Sequence, residues 1–192
     1  MDYFYTKTQF NAERGDLLIS EPYLPDPNFE RTVILLCEHD ENGSFGFVLN
    51  KLANVEFQQV IDSGIKLEEK LFVGGPVQQD TLHFIHRCDD ALGSGKEIVN
   101  GIYWGGDFDR LLTLIDTSQI ESSDVRFFLG YSGWSEGQLN DELKSKAWIV
   151  YMQPTAEKIF DLDPDELWKE ALKDLGGKFK MFSNYPEDPR MN

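Results

Sequence analysis

The run TVILLCEH, residues 32–39, is the stretch that most limits the folds open to this chain. It is almost purely apolar, and it is followed by DENG and then by SFGFVLNK, residues 44–51. Such a run is far shorter than the roughly 20 residues of a membrane helix, and it is typical of a strand buried on both faces. Asn42-Gly43 is a strong hairpin signal. The sequence therefore predicts a central β-hairpin whose first strand is covered on both sides.

The rest of the chain predicts strands early and an alternation of strands and helices later. This pattern favours a single α+β (mixed α/β) domain over residues 1–192, with a flexible N-terminus at 1–14 and an irregular C-terminal tail at 178–192. Asp107 and Asp163 are expected to cap helices. Strands are predicted at 16–20, 32–39, 44–51, 70–77, 81–87, 97–106, 124–133 and 147–154, and helices at 55–63, 107–117, 136–146, 155–162 and 163–177, with a single turn from Asn28.

The net charge of the chain argues against nucleic acid as a partner more clearly than any motif does. The chain has 34 Asp and Glu against 18 Lys and Arg, a net charge of −16, and no cluster of basic residues. A nucleic-acid-binding protein needs a cationic surface, so direct nucleic-acid binding is not expected. The N-terminus lacks a basic start followed by an apolar block, and two cysteines are too few for a disulfide framework. A cytoplasmic location is expected, with no membrane partner.

The pentapeptide GWSEG, residues 133–137, matches the G-x-S-x-G pattern of α/β-hydrolases. In that fold the acid and the histidine of the triad follow the serine, but all three histidines of this chain precede Ser135. The segment GYSG, residues 130–133, also lies between the apolar run that ends at Leu129 and Ser135, whereas an elbow serine sits directly at the strand end. We therefore favour a role for Ser135 as the N-cap of a helix that begins near Glu136, and keep a hydrolase using Ser135 as an alternative.

No cofactor or metal site is predicted. His83 and His86 are three residues apart in a predicted strand, where such a pair points to opposite faces. Gly93-Ser94-Gly95-Lys96 lacks the residues that complete a phosphate-binding loop. Glycines adjoining aromatic residues can mark bends of the sheet, wall a pocket or form a protein-binding patch, and these segments leave the choice open: 45–47, 73–76, 103–106 and 130–134.

Five segments, in order along residues 15–192, together resemble the AlgH/YqgE-type family of bacterial proteins. They are residues 15–51, LFVGGPV, GIYWGGDFDRL, RFFLGYSGWSEGQLNDEL and LWKEALKDLGG. The resemblance implies a forked sheet that closes partly into a small β-barrel flanked by helices. Family members carry a transcriptional-regulator label. The family pattern G-Y-x-G-W-x-x-G-Q-L leaves the position of Ser135 open, which weakens its case as a nucleophile.

The function favoured by the sequence is that of a non-enzymatic binding or regulatory protein acting through a protein partner or a small ligand. The candidate surface combines strand ends and loops, where sites are usually built. Arg31 is expected to bind an anionic group, Trp134 to stack and Gln138 to form hydrogen bonds. The full set is Arg31, Glu38, His39, Asn50, Trp134 and Gln138. Structural hydrogen bonding at the barrel ends is the competing interpretation. A DNA-binding regulator and a hydrolase remain alternatives, and the oligomeric state stays open.

Overall fold

The fold is a mixed sheet flanked by helices, seen in a computed structural model that describes residues 10–62, 64, 67 and 70–186. The described strands are β1 (Leu17–Ser20), β2 (Val33–Asp40), β3 (Gly43–Val48), β4 (Leu71–Val73), β5 (Val77–His86), β6 (Lys96–Val99), β7 (Ile102–Trp104), β8 (Val125–Ser135) and β9 (Trp148–Tyr151). The helices are α1 (Phe57–Val60), α2 (Asp89–Leu92), α3 (Phe108–Asp116), α4 (Gln138–Lys144), α5 (Ala156–Phe160), α6 (Pro164–Leu175) and α7 (Gly177–Phe182), with a one-turn 3-10 helix at Ser122–Asp124. The predicted α+β class is confirmed.

The sheet forks at β8, the longest strand. The strand order is β6-β7-β5-β8-β3-β2-β1-β9, and neighbours along it are antiparallel. The last residues of β8 pair with β3, whereas its first half pairs in parallel with β4. The amide of Val73 in β4 also donates to the carbonyl of Lys51, just beyond β3 (2.7 Å). Strand β4 therefore fills the fork that opens between β3 and β8.

The described strands leave the sheet open, with β6 and β9 at its two ends. The β6–β7 end of the sheet nevertheless contacts the β2–β3 hairpin through side chains. Lys96 of β6 forms an ion pair with Glu38 of β2, and Trp104 of β7 contacts Phe45 of β3. The barrel closure that the family resemblance implies is therefore not made by pairing among the described strands, and these side-chain contacts join the β6–β7 end to the hairpin instead.

Both faces of the central strands are buried, as their apolar sequence predicts. One face of β1 and β2 packs on α6 through Trp168 and Leu172, and the other packs on α4 through Leu139 and Leu143. A third apolar cluster lies under α3, around Phe127. Helices thus pack on both faces of β2, and this packing fixes the position of the β2–β3 hairpin.

Several predicted elements differ from the structure. Residues 97–106 form a hairpin, β6–β7, and not one strand, because Asn100-Gly101 makes a turn with φ of 48° and 79°. The segment from Asn28 contains turns and no helix. The expected irregular tail forms α7 over its first residues, while 187–192 lie outside the described residues. Residues 1–9 of the expected flexible N-terminus also lie outside them, and Ala12 is buried.

Two predicted helix caps are confirmed. The Asp107 side chain accepts a hydrogen bond from the amide of Arg110 at the start of α3 (3.0 Å), and Asp163 accepts one from Asp165 at the start of α6 (3.0 Å). A search of the described helices for an apolar segment of membrane-spanning length finds none.

A candidate binding cleft

A cleft of about 610 Å³ opens beside the tip of the β2–β3 hairpin. Glu38 of β2, Phe45 of β3 and Gly133 of β8 stand opposite one another across three neighbouring strands. Residues that are opposite in a sheet share a face, so this row lines one wall. Gly133 has no side chain, and a Cβ there would lie 3.3 Å from Cε2 of Tyr131, a tight contact, so glycine lets the Tyr131 ring occupy its present place in the lining. The lining residues are Glu38, Asp40, Asn42, Gly43, Ser44, Phe45, Val77, His83, Trp104, Tyr131, Gly133 and Trp134.

Three half-buried aromatic rings form the deeper part of the cleft. The ring centroids of Phe45 and Trp104 are 4.8 Å apart at an interplanar angle of 63°. Those of Phe45 and Tyr131 are 6.1 Å apart at 80°. At these distances and angles the rings pack edge to face and do not stack flat on one another. The cleft therefore offers an aromatic surface to whatever enters it.

The charged groups of the cleft are carboxylates. Glu38 is half-buried and pairs with Lys96, whose side chain is 54% exposed. Asp40 is exposed at the mouth, where its Oδ1 accepts a hydrogen bond from the amide of Asn42 (2.7 Å). No Lys or Arg is among the described lining residues. The electrostatic character of the cleft is thus acidic.

His83 lies in the cleft as a neutral imidazole. Burial lowers the pKa of His83 from its ordinary value, which favours the uncharged form. Its Nε2 is 2.9 Å from Oγ1 of Thr81, and that hydroxyl donates to the carbonyl of Gln78 (2.7 Å). A hydroxyl has only one hydrogen, so Nε2 of His83 is the donor in their contact. This tautomer leaves Nδ1 as an acceptor.

The structure brings some of the predicted site residues to the cleft. Glu38 and Trp134 both line it. The ring of Trp134 is only 6% exposed, however, and its Nε1 donates to Glu142 (2.9 Å). His39 lies one residue from Glu38 on β2, and its Nδ1 is 2.6 Å from Oγ of the lining residue Ser44. Of these three, Glu38 is the side chain most open to a ligand.

Arg31 and Asn50 lie away from the cleft. The guanidinium of Arg31 donates to the carbonyl of Tyr185 (2.6 Å), and its centre is 4.9 Å from the ring of Trp168. The side chain of Asn50 accepts from the amide of Val33 (2.9 Å) and donates to the carbonyl of Arg31 (2.9 Å). Both side chains thus form bonds within the fold, joining β2 to the loop before it and to the C-terminal segment.

Gln138 and Ser135 form a local turn, and the predicted cap at Ser135 is wrong. Ser135 is the last residue of β8, the N-cap of α4 is Gly137, and the helix begins at Gln138. The side-chain oxygen of Gln138, Oε1, accepts hydrogen bonds from both the amide (3.0 Å) and the hydroxyl (3.2 Å) of Ser135. The side chain of Gln138 therefore bonds the end of β8, and the N-cap Gly137 provides no side-chain hydrogen bond to α4.

The buried His86 and the half-buried Cys88 form a neutral pair. Nε2 of His86 lies 3.1 Å from the carbonyl of Gly105 and must donate to it, so Nδ1 accepts from the Cys88 thiol (3.6 Å). Burial raises the pKa of Cys88 to about 11 and lowers that of His86. The sulfur is therefore held as a thiol and not as the thiolate that nucleophilic catalysis needs. The described residues contain no group of three or more His, Cys, Asp or Glu side chains placed to hold a metal ion.

Sequence reasoning missed most of the cleft. It did not select Asp40, Phe45, His83, Trp104, Tyr131 or Gly133 as site residues. The usable signal was the recurrence of glycine beside aromatic residues, because three of those four segments contribute to the cleft: 45–47, 103–106 and 130–134. Their convergence depends on strand order, which composition alone does not specify.

Comparison with known proteins identifies close relatives along nearly the whole chain. The model of the DUF179 (AlgH-like) family matches residues 17–180. A UPF0301 protein of Cytophaga hutchinsonii is 47% identical over 180 residues, covering 93% of this chain and 98% of its own. A UPF0301 protein of Chlorobaculum tepidum is 42% identical over 178 residues, covering 93% and 95%.

Two solved structures share the fold. The solution structure of the AlgH protein from Pseudomonas aeruginosa has a TM-score of 0.70 and 27% identity, covering 95% of this chain and 97% of its own. A crystal structure of a Corynebacterium diphtheriae protein has a TM-score of 0.72 at 21% identity, covering 91% and 93%. The second likeness concerns the fold alone.

Proposed function

The chain belongs to the AlgH-like family, and we propose that it is a non-enzymatic binding protein that holds a small organic ligand in the cleft beside the β2–β3 hairpin. Regulation of a protein partner would follow from occupancy of this cleft. The hairpin tip is the part of the molecule where a bound ligand and a docking protein would meet, because the tip is exposed at Asp40, Glu41 and Asn42.

The observation that carries the proposal is a cleft whose lining includes three aromatic side chains and Gly133, which has no side chain to extend into it. This cleft of about 610 Å³ falls within the range of roughly 300–1,000 Å³ that small-molecule sites occupy. Such sites combine apolar walls with a few polar groups that orient the ligand. Here Phe45, Trp104 and Tyr131 supply the walls, while Glu38 and the acceptor nitrogen of His83 supply polar groups.

Filling the space of Gly133 tests the proposal. Gly133 lies in β8 with ordinary extended backbone, so a β-branched residue fits the strand, and the methyl groups of Gly133→Val would crowd the Tyr131 ring in the cleft lining, since a Cβ there already lies 3.3 Å from Cε2 of Tyr131. Wild type and variant would be screened by two-dimensional NMR against a panel of cationic, anionic and neutral metabolites. We expect ligands that perturb the indole signal of Trp104 in the wild type to lose binding in Gly133→Val and to bind Gly133→Ala with intermediate affinity.

The graded pair of substitutions serves as the control, and a thermal melt of each variant verifies folding. If the panel contains ligands of the wild type that bind Gly133→Val equally well, the cleft is not the binding site. If no member of a chemically broad panel perturbs the cleft signals, the proposal is wrong.

A second candidate function is acyl transfer by Ser44 in place of Ser135. Ser44 lines the cleft, and its Oγ is 2.6 Å from Nδ1 of His39, the spacing of a nucleophile and its general base. A fluorophosphonate probe tests it. Labelling that disappears in Ser44→Ala and persists in Ser135→Ala would favour a hydrolase; an unlabelled wild type would exclude this candidate.

A further inference from the structure

We propose that the ligand of this cleft is an organic cation whose ammonium group lies against the rings of Phe45, Trp104 and Tyr131 and within reach of Glu38 and Asp40. The inference rests on the proposed function, because it names the ligand class of the same cleft. It follows from three independent properties of the lining: its charge, its hydrogen-bonding character and the arrangement of its rings.

The charge of the lining selects a cation. Among the described lining residues the charged side chains are two carboxylates, Glu38 and Asp40. The whole chain carries −16, so its field concentrates cations at the surface and repels anions. An anionic ligand would have to be desolvated beside two carboxylates without a lining Lys or Arg to compensate it, which is unfavourable.

The hydrogen-bonding groups of the lining favour a ligand that donates hydrogen bonds. The carboxylate oxygens of Glu38 and Asp40 only accept hydrogen bonds, and the tautomer of His83 leaves its Nδ1 as an acceptor. Ammonium and guanidinium groups are donors without acceptor atoms. An alkylated ammonium with few or no N–H groups would instead rely on the aromatic walls.

The rings provide those walls. A cation within about 6 Å of an aromatic centroid is attracted by the negative face of the ring, and steeply inclined rings recognise quaternary ammonium groups by surrounding them. Phe45 is inclined at 63° to Trp104 and at 80° to Tyr131, and all three are half-buried at the cleft. Partial burial strengthens the attraction because water screens it less.

The ion pair between Lys96 and Glu38 allows cation binding in the cleft to be tested by substitution. Its ammonium already pairs with Glu38 at the cleft edge, so the chain itself places a cation beside this carboxylate. Because the side chain of Lys96 is exposed and flexible, a ligand ammonium would compete with it for Glu38. Removing Lys96 should therefore strengthen binding of a cation, whereas removing Glu38 should weaken it. A nonspecific structural effect would not give opposite signs.

The experiment compares choline with its neutral isostere, in which carbon replaces the quaternary nitrogen, and adds putrescine and N-acetyl-lysine methylamide. Binding would be followed on the full chain through the Trp104 indole and Gly133 amide signals. We expect choline or one of the amines to bind about tenfold more tightly than the neutral isostere, a difference of about 1.4 kcal/mol. The lysine derivative distinguishes a protein side chain from a free amine as the source of the cation.

Substitutions at the rim give the expected pattern of changes. Glu38→Gln and Asp40→Asn should each weaken cation binding about three- to tenfold, and Lys96→Met should strengthen it by a similar factor. Glu170→Gln is the matched control, because Glu170 also pairs with a lysine, Lys173, but does not line the cleft. It should leave the affinity unchanged.

The outcomes separate this inference from the proposed function. Equal binding of choline and its neutral isostere, blocked by Gly133→Val, would overturn the cation and leave the cleft as a binding site. The cation would also be overturned, and the cleft left as a binding site, if the only panel members that bind in the cleft were neutral or anionic. Failure of every probe to perturb the cleft would overturn both.

Discussion

At the scale of single residues, Glu142 shows why an aromatic residue next to glycines need not be a ligand-binding group. Its Oε2 accepts from Nε1 of Trp134 (2.9 Å) and from Nε1 of Trp148 (2.6 Å), and its Oε1 accepts from Gln138 (3.0 Å). One carboxylate thus joins α4 to β8 and β9. Trp134 thus has a structural bond to this carboxylate and is only 6% exposed, while the stacking role expected of it stays a prediction.

Replacing Glu142 should destabilise the fold substantially. Glu142→Leu leaves two indole N–H groups without their acceptor, and an unsatisfied buried donor costs about 1–3 kcal/mol. We expect a loss of about 3 kcal/mol in the free energy of unfolding, measured by guanidinium denaturation with tryptophan fluorescence. Glu142→Gln keeps one acceptor oxygen and should lose less. Equal stabilities of Glu142→Leu and wild type would contradict the proposed role of the carboxylate.

The buried side chain of His86 should make stability depend on pH with a defined sign. Burial lowers the pKa of His86 below its ordinary value of 6.5, so near pH 6 the unfolded chain binds more protons than the folded one. The contribution of neutral His86 to the free energy of unfolding is therefore complete above pH 6.5. It is lost as the pH falls below that value.

Comparing His86→Gln with the wild type isolates that contribution. Acidification also relieves repulsion among the excess carboxylates, which acts in the opposite direction in both proteins. We expect the wild type to lose more unfolding free energy than His86→Gln between about pH 7 and about pH 5, in paired urea titrations. Parallel pH profiles of the two proteins would show that His86 does not titrate as its burial requires.

At the scale of elements, Arg126 of β8 connects three segments that the sequence did not relate. Its guanidinium donates to the carbonyl of Leu49 after β3 (3.0 Å), and to those of Phe160 (3.3 Å) and Leu162 (3.4 Å) at the end of α5. The ring of Phe72 in β4 lies 4.9 Å from its centre. The last carbonyls of a helix lack partners within the helix, and this buried arginine supplies them.

Substituting Arg126 should therefore loosen α5 as well as the fork. Arg126→Met leaves these carbonyls without their donor, and Arg126→Lys cannot span both segments with a single ammonium. We expect each to lose about 3 kcal/mol in unfolding free energy, together with faster amide exchange in α5. Arg110→Met is the control, since the side chain of Arg110 is exposed and donates to the carbonyl of Ala91 (2.9 Å), and its loss should cost less than about 1 kcal/mol. Comparable losses in Arg126→Met and Arg110→Met would refute this assignment.

Turn and cap residues predicted hairpins and helix starts correctly where a single local sequence pattern was present. The hairpin at Asp40–Gly43 and the caps at Asp107 and Asp163 follow from short-range chemistry and are confirmed. The hairpin at Val99–Ile102 was missed although Asn100-Gly101 repeats the Asn-Gly signal of the first one. There the flanking strands are short, four and three residues, so the segment resembles one continuous strand.

The cleft was less predictable than the elements because it depends on long-range pairing. Glu38 and Phe45 are neighbours through a hairpin, a local event, but Gly133 joins them only because β8 pairs with β3. Trp104 arrives through side-chain contact across the concave face. Periodicity identifies which residues are buried, and it does not specify which strand ends meet.

At the scale of the whole molecule, the forked sheet explains both the cleft and its acidity. Side-chain contacts join its β6–β7 end to the β2–β3 hairpin, where Lys96 pairs with Glu38, and the charged lining residues of the cleft beside that hairpin are carboxylates. The whole chain is acidic as well, with 34 acidic and 18 basic residues, and this charge bears directly on the transcriptional-regulator label.

We expect no direct binding of this protein to DNA. Lys and Arg side chains must displace the counterions of the phosphates, and a net charge of −16 adds repulsion that salt would otherwise screen. Low ionic strength maximises any electrostatic attraction, so a fluorescence-anisotropy titration of a labelled duplex in low salt is the most permissive measurement. Anisotropy should stay flat at micromolar protein. Micromolar affinity that weakens steeply as salt is added would show a cationic surface, and would favour a DNA-binding regulator over a protein that acts through its cleft.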